Sequence, residues 1–371
     1  MKWQRLLFFV ILILVLGMAA PAAAGTLNHS NQPGSVLVFP RYHTGTVTTL
    51  DQGTLPRTEF EISAVCPKDA GCSFKQPVGF KGHWICENSC DSGINFELGT
   101  TVNGTLFFYI KSPGDDAVNL PAGTTFVPPP DCGDNGERAY LIVYAIDASG
   151  QQIKFDGLIG DAVLRGGTAN DNCPNCVTRY DAIAIQAGES IPTGASTDAV
   201  ANGGNGDGAL DFNGTEYKMV TGTVFGTIRY GGDTFIPPSP VATGEFTPYL
   251  TLLTLDVVVP NTNRTTTVDL NFYNEFEDSL STSIRFTCRR TTELDPDNLT
   301  GAPDNNFARK GLLVAGPATQ QLDDGSIKPV TLLGFVEYKE ETQPGETTVR
   351  WYSSVLYNGG DPVATKFVPG P

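Results

Sequence analysis

The sequence predicts an all-β protein built from two tandem antiparallel β-sandwich domains, immunoglobulin-like or jelly-roll-like. Three observations carry this prediction. Helical periodicity is nearly absent, short segments alternate apolar and polar residues, and Gly, Pro, Asn and Asp separate those segments. The chain has 371 residues, of which 41 are Gly, 26 are Pro and 40% are hydrophobic. This hydrophobic fraction is enough for a packed core, so a largely disordered chain is excluded.

The first 24 residues predict a signal peptide that is cleaved. Lys2 and Arg5 form a basic head, an apolar run of thirteen residues follows at 6–18, and Ala22 and Ala24 have the spacing of a signal-peptidase site. This run is too short to span a bilayer comfortably, and no later segment reaches the roughly twenty apolar residues of a membrane helix. We therefore expect an exported protein, periplasmic or secreted, that begins at residue 25 and has no integral membrane segment.

Strands of the first half are predicted by alternation and by one continuous apolar run. Residues 58–66 and 78–86 alternate, which is typical of a strand with one buried and one wet face. In the second of these segments Trp84 falls on the apolar phase and His83 on the wet phase. Residues 140–146 are apolar throughout and predict a central strand that is buried on both faces.

The second half repeats this plan. Residues 268–272 and 280–288 alternate, residues 250–255 are mostly apolar, and Asn358-Gly-Gly360 has the turn chemistry of a hairpin. Residues 201–208 offer no side chain that could anchor them in a core, so they predict a flexible connector. The predicted boundaries are 1–24 for the signal peptide, 25–190 for a cysteine-rich first sandwich, 191–214 for a Gly/Asn/Asp-rich linker and 215–371 for the second sandwich.

Eight cysteines in an exported chain favour disulfides over free thiols. Seven lie in the first half and Cys288 lies alone in the second, so either Cys288 bridges to the first half or two thiols stay free. Cys288 falls on the apolar phase of its strand, which leaves a buried unpaired thiol open as the alternative. Cys173 and Cys176 are the predicted local pair, because their loop context lacks the helix start of a redox C-x-x-C motif. The disulfide candidates are Cys66, Cys72, Cys86, Cys90, Cys132, Cys173 and Cys176.

Two metal hypotheses arise from residue types. The loop with Asp295, Asp297, Asn298 and Asp304 concentrates the oxygen ligands that calcium prefers, although the same residues make turns without any metal. Calcium is therefore a hypothesis beside the simpler expectation of no cofactor. A zinc site is the weaker alternative to disulfides, because an oxidising compartment favours cystine. Its ligands by type would be Cys66, Cys72, His83, Cys86 and Cys90.

Motifs of nucleophilic and metal-dependent hydrolases are absent from the sequence, which has no G-x-S-x-G, S-x-x-K or H-E-x-x-H. His43 and His83 are the candidate general bases, and a lone His on the wet face of a strand is usually only solvated. The 40 acidic residues leave a carboxylate pair of glycosidase type open. The sequence thus leaves catalysis undecided and favours no catalytic residue.

The formal charge of −16 excludes nucleic-acid binding that depends on phosphate neutralisation. We predict a non-enzymatic structural or interaction protein of the cell envelope or extracellular space, with other envelope or extracellular proteins or polysaccharide as partners. The alternative is an extracellular hydrolase or carbohydrate-binding module that uses surface carboxylates or aromatics, such as Trp351 or Tyr352. Perturbed carboxylates clustered in a cleft would favour this alternative, whereas a flat surface with exposed strand edges would favour the first prediction.

Six short motifs are spread over most of the predicted mature chain. They are Gly34-Ser-Val-Leu-Val-Phe-Pro40, Tyr140-Leu-Ile-Val-Tyr-Ala-Ile-Asp147, Leu158-Ile-Gly-Asp-Ala162, Tyr180-Asp-Ala-Ile-Ala184, Val268-Asp-Leu-Asn-Phe-Tyr-Asn-Glu275 and Arg309-Lys-Gly-Leu312. In these motifs the chain resembles a group of exported β-rich proteins of Gram-negative bacteria that has no assigned activity. The resemblance implies export from a Gram-negative cell, and it implies no cofactor and no catalytic residue.

Overall fold

The structure described here is a computed structural model of the chain. The described residues contain β-strands and no helix, so the all-β prediction is confirmed. The structure describes residues 32–42, 57–66, 78–87, 90, 95–101, 103–110, 139–147, 150, 152–165, 177–188, 209–229, 234–235, 244–258, 264–274, 276–294, 310–341 and 349–368.

The strands are numbered in chain order. Those of the first half are β1 (Val36–Phe39), β2 (Arg57–Ala64), β3 (Val78–Cys86), β4 (Asn95–Thr100), β5 (Thr105–Ile110), β6 (Ala139–Ile146), β7 (Leu158–Arg165), β8 (Val177–Asp181) and β9 (Ile183–Ile185). Those of the second half are β10 (Leu210–Phe212), β11 (Val220–Arg229), β12 (Thr234–Phe235), β13 (Gly244–Leu253), β14 (Val257–Val258), β15 (Thr265–Asn274), β16 (Ser279–Phe286), β17 (Arg289–Glu293), β18 (Lys310–Gln321), β19 (Ile327–Pro329), β20 (Leu333–Glu341), β21 (Val349–Val355), β22 (Tyr357–Val363) and β23 (Thr365–Val368).

The described strands form five sheets, which we number I to V. Sheet I has the order β5-β2-β7-β8, and sheet II has the order β4-β3-β6-β1-β9. Sheet III is β10-β23-β14, and sheet IV is β16-β15-β18-β11-β22 with β19 added on β18. Sheet V is β12-β13-β20-β21 with β17 added on β13. Pairing is antiparallel except between β14 and β23.

Local patterning explains most of these strands. The alternating segments predicted at 58–66 and 78–86 form β2 and β3, and Trp84 is buried as its phase predicts. The prediction of a hairpin turn at Asn358-Gly-Gly360 is wrong, because these residues lie within β22. There Asn358 and Gly359 pair with Val224 and Thr223 of β11, and the nearby Phe225 ring would meet a Cβ at Gly359 at 2.7 Å. Gly359 therefore serves a close side-chain approach and not a turn.

The first core lies between sheets I and II. Phe60 of β2 stacks on Phe108 of β5 with ring centroids 5.2 Å apart, and it meets Trp84 of β3 edge-on at 5.8 Å. The apolar phases of both sheets point into this space, so alternate residues of each strand are removed from water. Phe335 of β20 also belongs to this core and contacts Tyr180 at 4.9 Å.

A second core joins the two halves of the chain. It combines the other face of sheet II with sheet III and with residues of the second half such as Tyr217, Leu255 and Leu333. Sheet II is therefore covered on both faces, which is why all eight residues of β6 (Ala139–Ile146) are buried. This burial explains the continuous apolar run in the sequence of that strand.

A third core lies between sheets IV and V. Sheet V in turn contacts sheet I. The third core includes Val224, Leu250, Phe272, Leu313 and Val336. At the other edge of sheet V, β21 lies beside β8 of sheet I. The four larger sheets are therefore arranged like the blades of a four-bladed propeller, with sheet III contributing to the second core.

A buried polar network at the junction of the halves surrounds the segment that follows β1. Arg41 forms an ion pair with Glu337 of β20, and both side chains are almost fully buried. Arg289 of β17 donates from Nε to the backbone oxygen of Pro40 at 3.1 Å. Its Nη1 lies 3.3 Å from a carboxylate oxygen of Glu87, and burial lowers the pKa of Arg289 to about 10. Side chains of both halves thus hold this segment in place.

The prediction that His83 lies on a wet strand face is wrong. Its side chain has no solvent exposure, and its ring stacks on Tyr144 with centroids 5.7 Å apart. Phe367 of β23 meets the same ring at 5.8 Å. The alternation gives the phase of β3 correctly, but the second half of the chain covers the face that the alternation marks as polar. A variant at His83 is therefore expected to lose packing as well as an imidazole.

The burial of His83 predicts an acid-sensitive stability. Burial, and to a lesser extent the charge of Lys81, lower the pKa of His83 from 6.5 to about 3. In the unfolded chain the His83 ring takes up a proton below pH 6.5, whereas in the folded protein it stays neutral down to about pH 3. The free energy of unfolding therefore falls as the pH falls through this range. From pH 7 to pH 5 the loss that His83 causes should be about 2 kcal/mol.

Urea unfolding of the wild type and of His83→Gln at both pH values measures this effect. The variant should be less stable at pH 7 and should lose about 2 kcal/mol less than the wild type on acidification. Asp156 and Glu216, whose pKa values burial raises, are present in both proteins, so their opposite contribution cancels. Equal acid sensitivity in the two proteins would show that the His83 ring is hydrated in solution.

The described part of the predicted linker begins at residue 209. From there the chain forms β10, and Leu210 and Phe212 are fully buried in the second core. Asp211 of the same strand lies 3.5 Å from the ammonium of Lys366. Residues 191–208, including the Gly-rich segment, and the signal-peptide segment 1–24 lie outside the described residues.

Candidate functional site

The candidate site is a cleft on sheet I, which we call the acid-lined cleft. It has a volume of about 370 Å³ and opens at the solvent-facing side of β2, β7 and β8. This volume lies within the roughly 300–1,000 Å³ that small-molecule sites occupy. Its wall carries Glu61, Asp161, Arg179 and Asp181, and the exposed Ile159 of β7 contributes apolar surface.

Strand register places three carboxylates side by side. Glu61 of β2 lies directly opposite Asp161 of β7, and Asp161 lies directly opposite Asp181 of β8. Side chains directly opposite one another in an antiparallel pair have Cβ atoms about 4.5–5.5 Å apart, and like charges in such positions destabilise the sheet. The row therefore costs stability, as is common for residues that have a function in binding or catalysis.

The electrostatics centre on Asp161. Its side chain is 14% exposed, and Arg179 reaches it with an Nη2–Oδ2 distance of 3.0 Å. Burial raises the pKa of Asp161, the Arg179 charge lowers it, and the charges of Glu61 and Asp181 raise it further. One guanidinium thus faces three carboxylates, so the cleft carries an excess of negative charge.

Close packing beneath the cleft fixes the position of Asp161. The preceding residue is Gly160, where a Cβ would lie 3.0 Å from the side chains of Leu37 and Phe39. A larger residue would push β7 away from β1 and displace the carboxylate. Ile159 lies two residues before Asp161 on the same face of β7. It is 44% exposed at the cleft and adds an apolar contact surface.

The sequence-predicted cysteines are only partly within the described residues. Cys90 forms a disulfide with Cys288, so the alternative of a bridge between the halves is the one found. Cys66 and Cys86 are also in disulfides. Cys66, Cys86 and Cys90 are therefore disulfide sulfurs and not the thiolates that zinc would need. His83, the remaining described residue of the zinc hypothesis, stacks on Tyr144. The zinc alternative is thus excluded for these residues. The predicted Cys72, Cys132, Cys173 and Cys176 lie outside the described residues.

The other sequence-predicted candidates cannot be placed beside the cleft. The calcium-loop residues Asp295, Asp297, Asn298 and Asp304 lie outside the described part of the chain, as does His43. Trp351 and Tyr352 lie in β21, and their side chains are outside the description. Within the described ranges, no three or more His, Cys, Asp or Glu side chains have an arrangement that could hold a metal ion. None of the described segments is an apolar helix of membrane-spanning length.

Sequence reasoning did not find the acid-lined cleft. Each of its carboxylates lies on the wet phase of a strand, and such residues look like ordinary solvated side chains. Two of them do fall in motifs that carry the resemblance, Asp161 in residues 158–162 and Asp181 in residues 180–184. Their meeting depends on the register of three strands that are distant in sequence, which no local pattern specifies.

Comparison with known proteins adds no relative. No protein-family model matches the chain, and a search of curated proteins finds no similar sequence. The fold and the acid-lined cleft therefore carry the functional argument.

Proposed function

We propose that the protein is an exported, non-enzymatic interaction protein of the cell envelope or extracellular space, and that the acid-lined cleft is where it engages its partner. The observation that carries this proposal is the row formed by Glu61, Asp161 and Asp181 across three strands. Within the part of the chain that the structure describes, Arg179 is the one cation that lines the cleft with these three carboxylates, and such a sheet is suited to a partner that supplies positive charge.

The partner chemistry that fits best is an ammonium or guanidinium group on another envelope or extracellular protein. Such a group replaces the missing countercharge beside Glu61 and Asp181, and its donors suit carboxylate acceptors. The formal charge of −16 attracts basic segments over a longer range and repels nucleic acid. Ile159, which is 44% exposed, can contact the alkyl stem of a Lys or Arg side chain.

Export is supported by two independent features. The N-terminal segment has the pattern of a cleaved signal peptide, with the mature chain beginning at residue 25. The Cys90–Cys288 disulfide suits an oxidising compartment such as the periplasm or the extracellular space. The resemblance to exported proteins of Gram-negative bacteria agrees with both.

We also propose that sheets I and II form one β-sandwich unit, and sheets IV and V form a second. The first and third cores, each lying between two sheets, support this division. The second core joins the units along a wide apolar contact. The two units therefore present the acid-lined cleft on one rigid body instead of on a freely tethered domain.

Titration calorimetry with tetralysine as the probe tests the function of the cleft. We expect E61Q/D161N/D181N to weaken binding about tenfold, since each exposed ion pair contributes up to about 1 kcal/mol. The matched control D269N/E293Q/D361N removes three exposed carboxylates from the second half and gives the same net charge. It should change the affinity about twofold at most. Equal weakening in both variants would show that only net charge attracts the probe.

Carbohydrate hydrolysis is a second candidate, and the environment of Asp161 favours it. A carboxyl with a raised pKa beside another carboxylate is the arrangement of a general acid and its partner in glycosidases. An enzyme of this kind would release reducing ends from a polysaccharide, and Asp161→Asn would lower the rate at least about a hundredfold. Release of reducing ends by the wild type and not by this variant would replace the non-enzymatic proposal.

A further inference from the structure

The outer face of sheet IV is unusually apolar for a solvent-facing surface. Tyr273 is 37% exposed, Leu312 40%, Phe225 38% and Tyr357 68%. The rings of Phe225 and Tyr357 lie 6.1 Å apart. The opposite face of the same strands fills the third core, so these four side chains are not part of it. Single exposed apolar residues need no explanation, but a contiguous set on one sheet face marks a binding surface.

Two cross-strand rows define this surface, which we call the aromatic face. Residues directly opposite one another on paired strands share a face of the sheet. The first row crosses four strands and the second crosses all five strands of the main path, a width of about 19 Å at the usual strand spacing. The rows are Ser279–Tyr273–Leu312–Thr227 and Ser281–Asn271–Val314–Phe225–Tyr357.

None of the nine side chains in these rows carries a charge at neutral pH. The rows consist of aromatic and aliphatic side chains interleaved with hydroxyl and amide groups. Charged residues border the rows: Asp269 lies two residues from Asn271 on β15, and the paired positions Arg229 and Lys310 lie two residues from Thr227 and Leu312. An uncharged surface of this width on a protein with a formal charge of −16 matches an uncharged partner.

We propose that the aromatic face binds a neutral polysaccharide. The faces of sugar rings expose C–H groups that gain from contact with flat apolar surface, while their edges carry hydroxyl groups. The rings of Phe225 and Tyr357 provide the flat contact, and Asn271 and Ser281 provide donors and acceptors in the same row. The second row crosses all five strands, about 19 Å, which is long enough for a polymer segment and not only a single sugar.

Charge argues against other occupants. A second copy of this chain carries the same charge of −16, and the resulting repulsion opposes self-association. An anionic polymer or an anionic membrane would also be repelled. The proposal goes beyond the acid-lined cleft, because it concerns a different sheet in the other half of the chain.

Binding to neutral polysaccharides, measured by affinity electrophoresis and pull-down, tests this proposal. The probes are cellulose, β-1,3-glucan, galactomannan, starch and chitin, with anionic polygalacturonate as the charged comparison. We expect the wild type to bind at least one neutral polymer, with little dependence on salt, and to leave polygalacturonate unbound. The triple variant Y273T/F225T/Y357T should weaken that binding about tenfold or more, because it removes the three ring contacts.

The matched control is F107T/V177T, which makes similar changes on the outer face of sheet I, where both side chains are also exposed and neither lines the acid-lined cleft. It should change polymer binding about twofold at most. Tyr357→Thr alone, at the most exposed ring, gives a second reading if the triple variant is unstable. The cleft variant E61Q/D161N/D181N should bind the polymer normally, so the two proposals can fail separately. Binding to none of the neutral polymers, equal weakening by the control, or a wild-type dimer that the triple variant dissociates would overturn the proposal.

Discussion

Replacing Glu337 with Met is expected to lower the free energy of unfolding by about 3–5 kcal/mol, because it leaves the guanidinium of Arg41 buried without its carboxylate. The Glu337 charge also raises the pKa of Arg289, a fully buried side chain whose charged form would be less favourable in the variant. Arg41 belongs to the segment that follows β1, and Arg289 donates to the Pro40 oxygen of the same segment. The loss should therefore appear in the global unfolding of the protein, measured by urea denaturation.

Two control variants separate this effect from a general loss of charge. Glu97→Gln removes one partner of an exposed pair with Lys81, whose charged atoms lie 3.5 Å apart, and should cost about 1 kcal/mol at most. Arg41→Met combined with Glu337→Met should be more stable than Glu337→Met alone, since no unpaired charge remains from this pair. If Glu337→Met costs no more than Glu97→Gln, water reaches the pair in solution and the junction is looser than described.

The fold class and the main strands followed from sequence because they depend on local patterning. The alternation of residues 78–86 predicts β3 with its bounds, and Trp84 lies in the first core as its phase requires. What alternation cannot give is the environment of the opposite face. One signal was present, since Ile85 shares that face with His83, and an apolar residue there is unexpected for a wet surface.

The parts that sequence did not predict depend on contacts between distant segments. The row of Glu61, Asp161 and Asp181 exists only because β2, β7 and β8 pair in one register, and the aromatic face depends on the register of five strands. The same limit applies to disulfides, since the number and spacing of cysteines do not give their connectivity. The sequence leaves Cys288 either bridged to the first half or buried as a free thiol. The Cys90–Cys288 disulfide, which lies in the second core, decides between the two.

The two candidate surfaces lie on opposite halves, so their joint action depends on how firmly the halves are held together. The second core contains buried side chains of both, including Tyr140, whose hydroxyl donates to the backbone oxygen of Thr254 at 3.2 Å. The Cys90–Cys288 disulfide crosses the same region and joins residues that are 198 positions apart in sequence. Packing and a covalent bond therefore act on one interface, and a variant without the bond separates their contributions.

Substitution of both Cys90 and Cys288 by Ala should lower the free energy of unfolding by about 2–5 kcal/mol, because the bridge restricts the unfolded chain over a long loop. We expect unfolding to remain one cooperative transition, since the second core still joins the halves through buried apolar side chains. Urea denaturation followed by both fluorescence and circular dichroism measures the loss and tests whether the two signals coincide.

The matched control keeps Ala at position 90, where a backbone φ of 49° disfavours a β-branched residue, and places Val at position 288. It restores side-chain volume at the fully buried Cys288 site without restoring the bond. Any stability that it recovers over the Ala variant reports the cavity, and the deficit that remains reports the bridge. Two separate transitions in both variants would contradict the argument from the second core. The halves would then be held together mainly by the disulfide, and binding at the acid-lined cleft and at the aromatic face would become independent once that bond is broken.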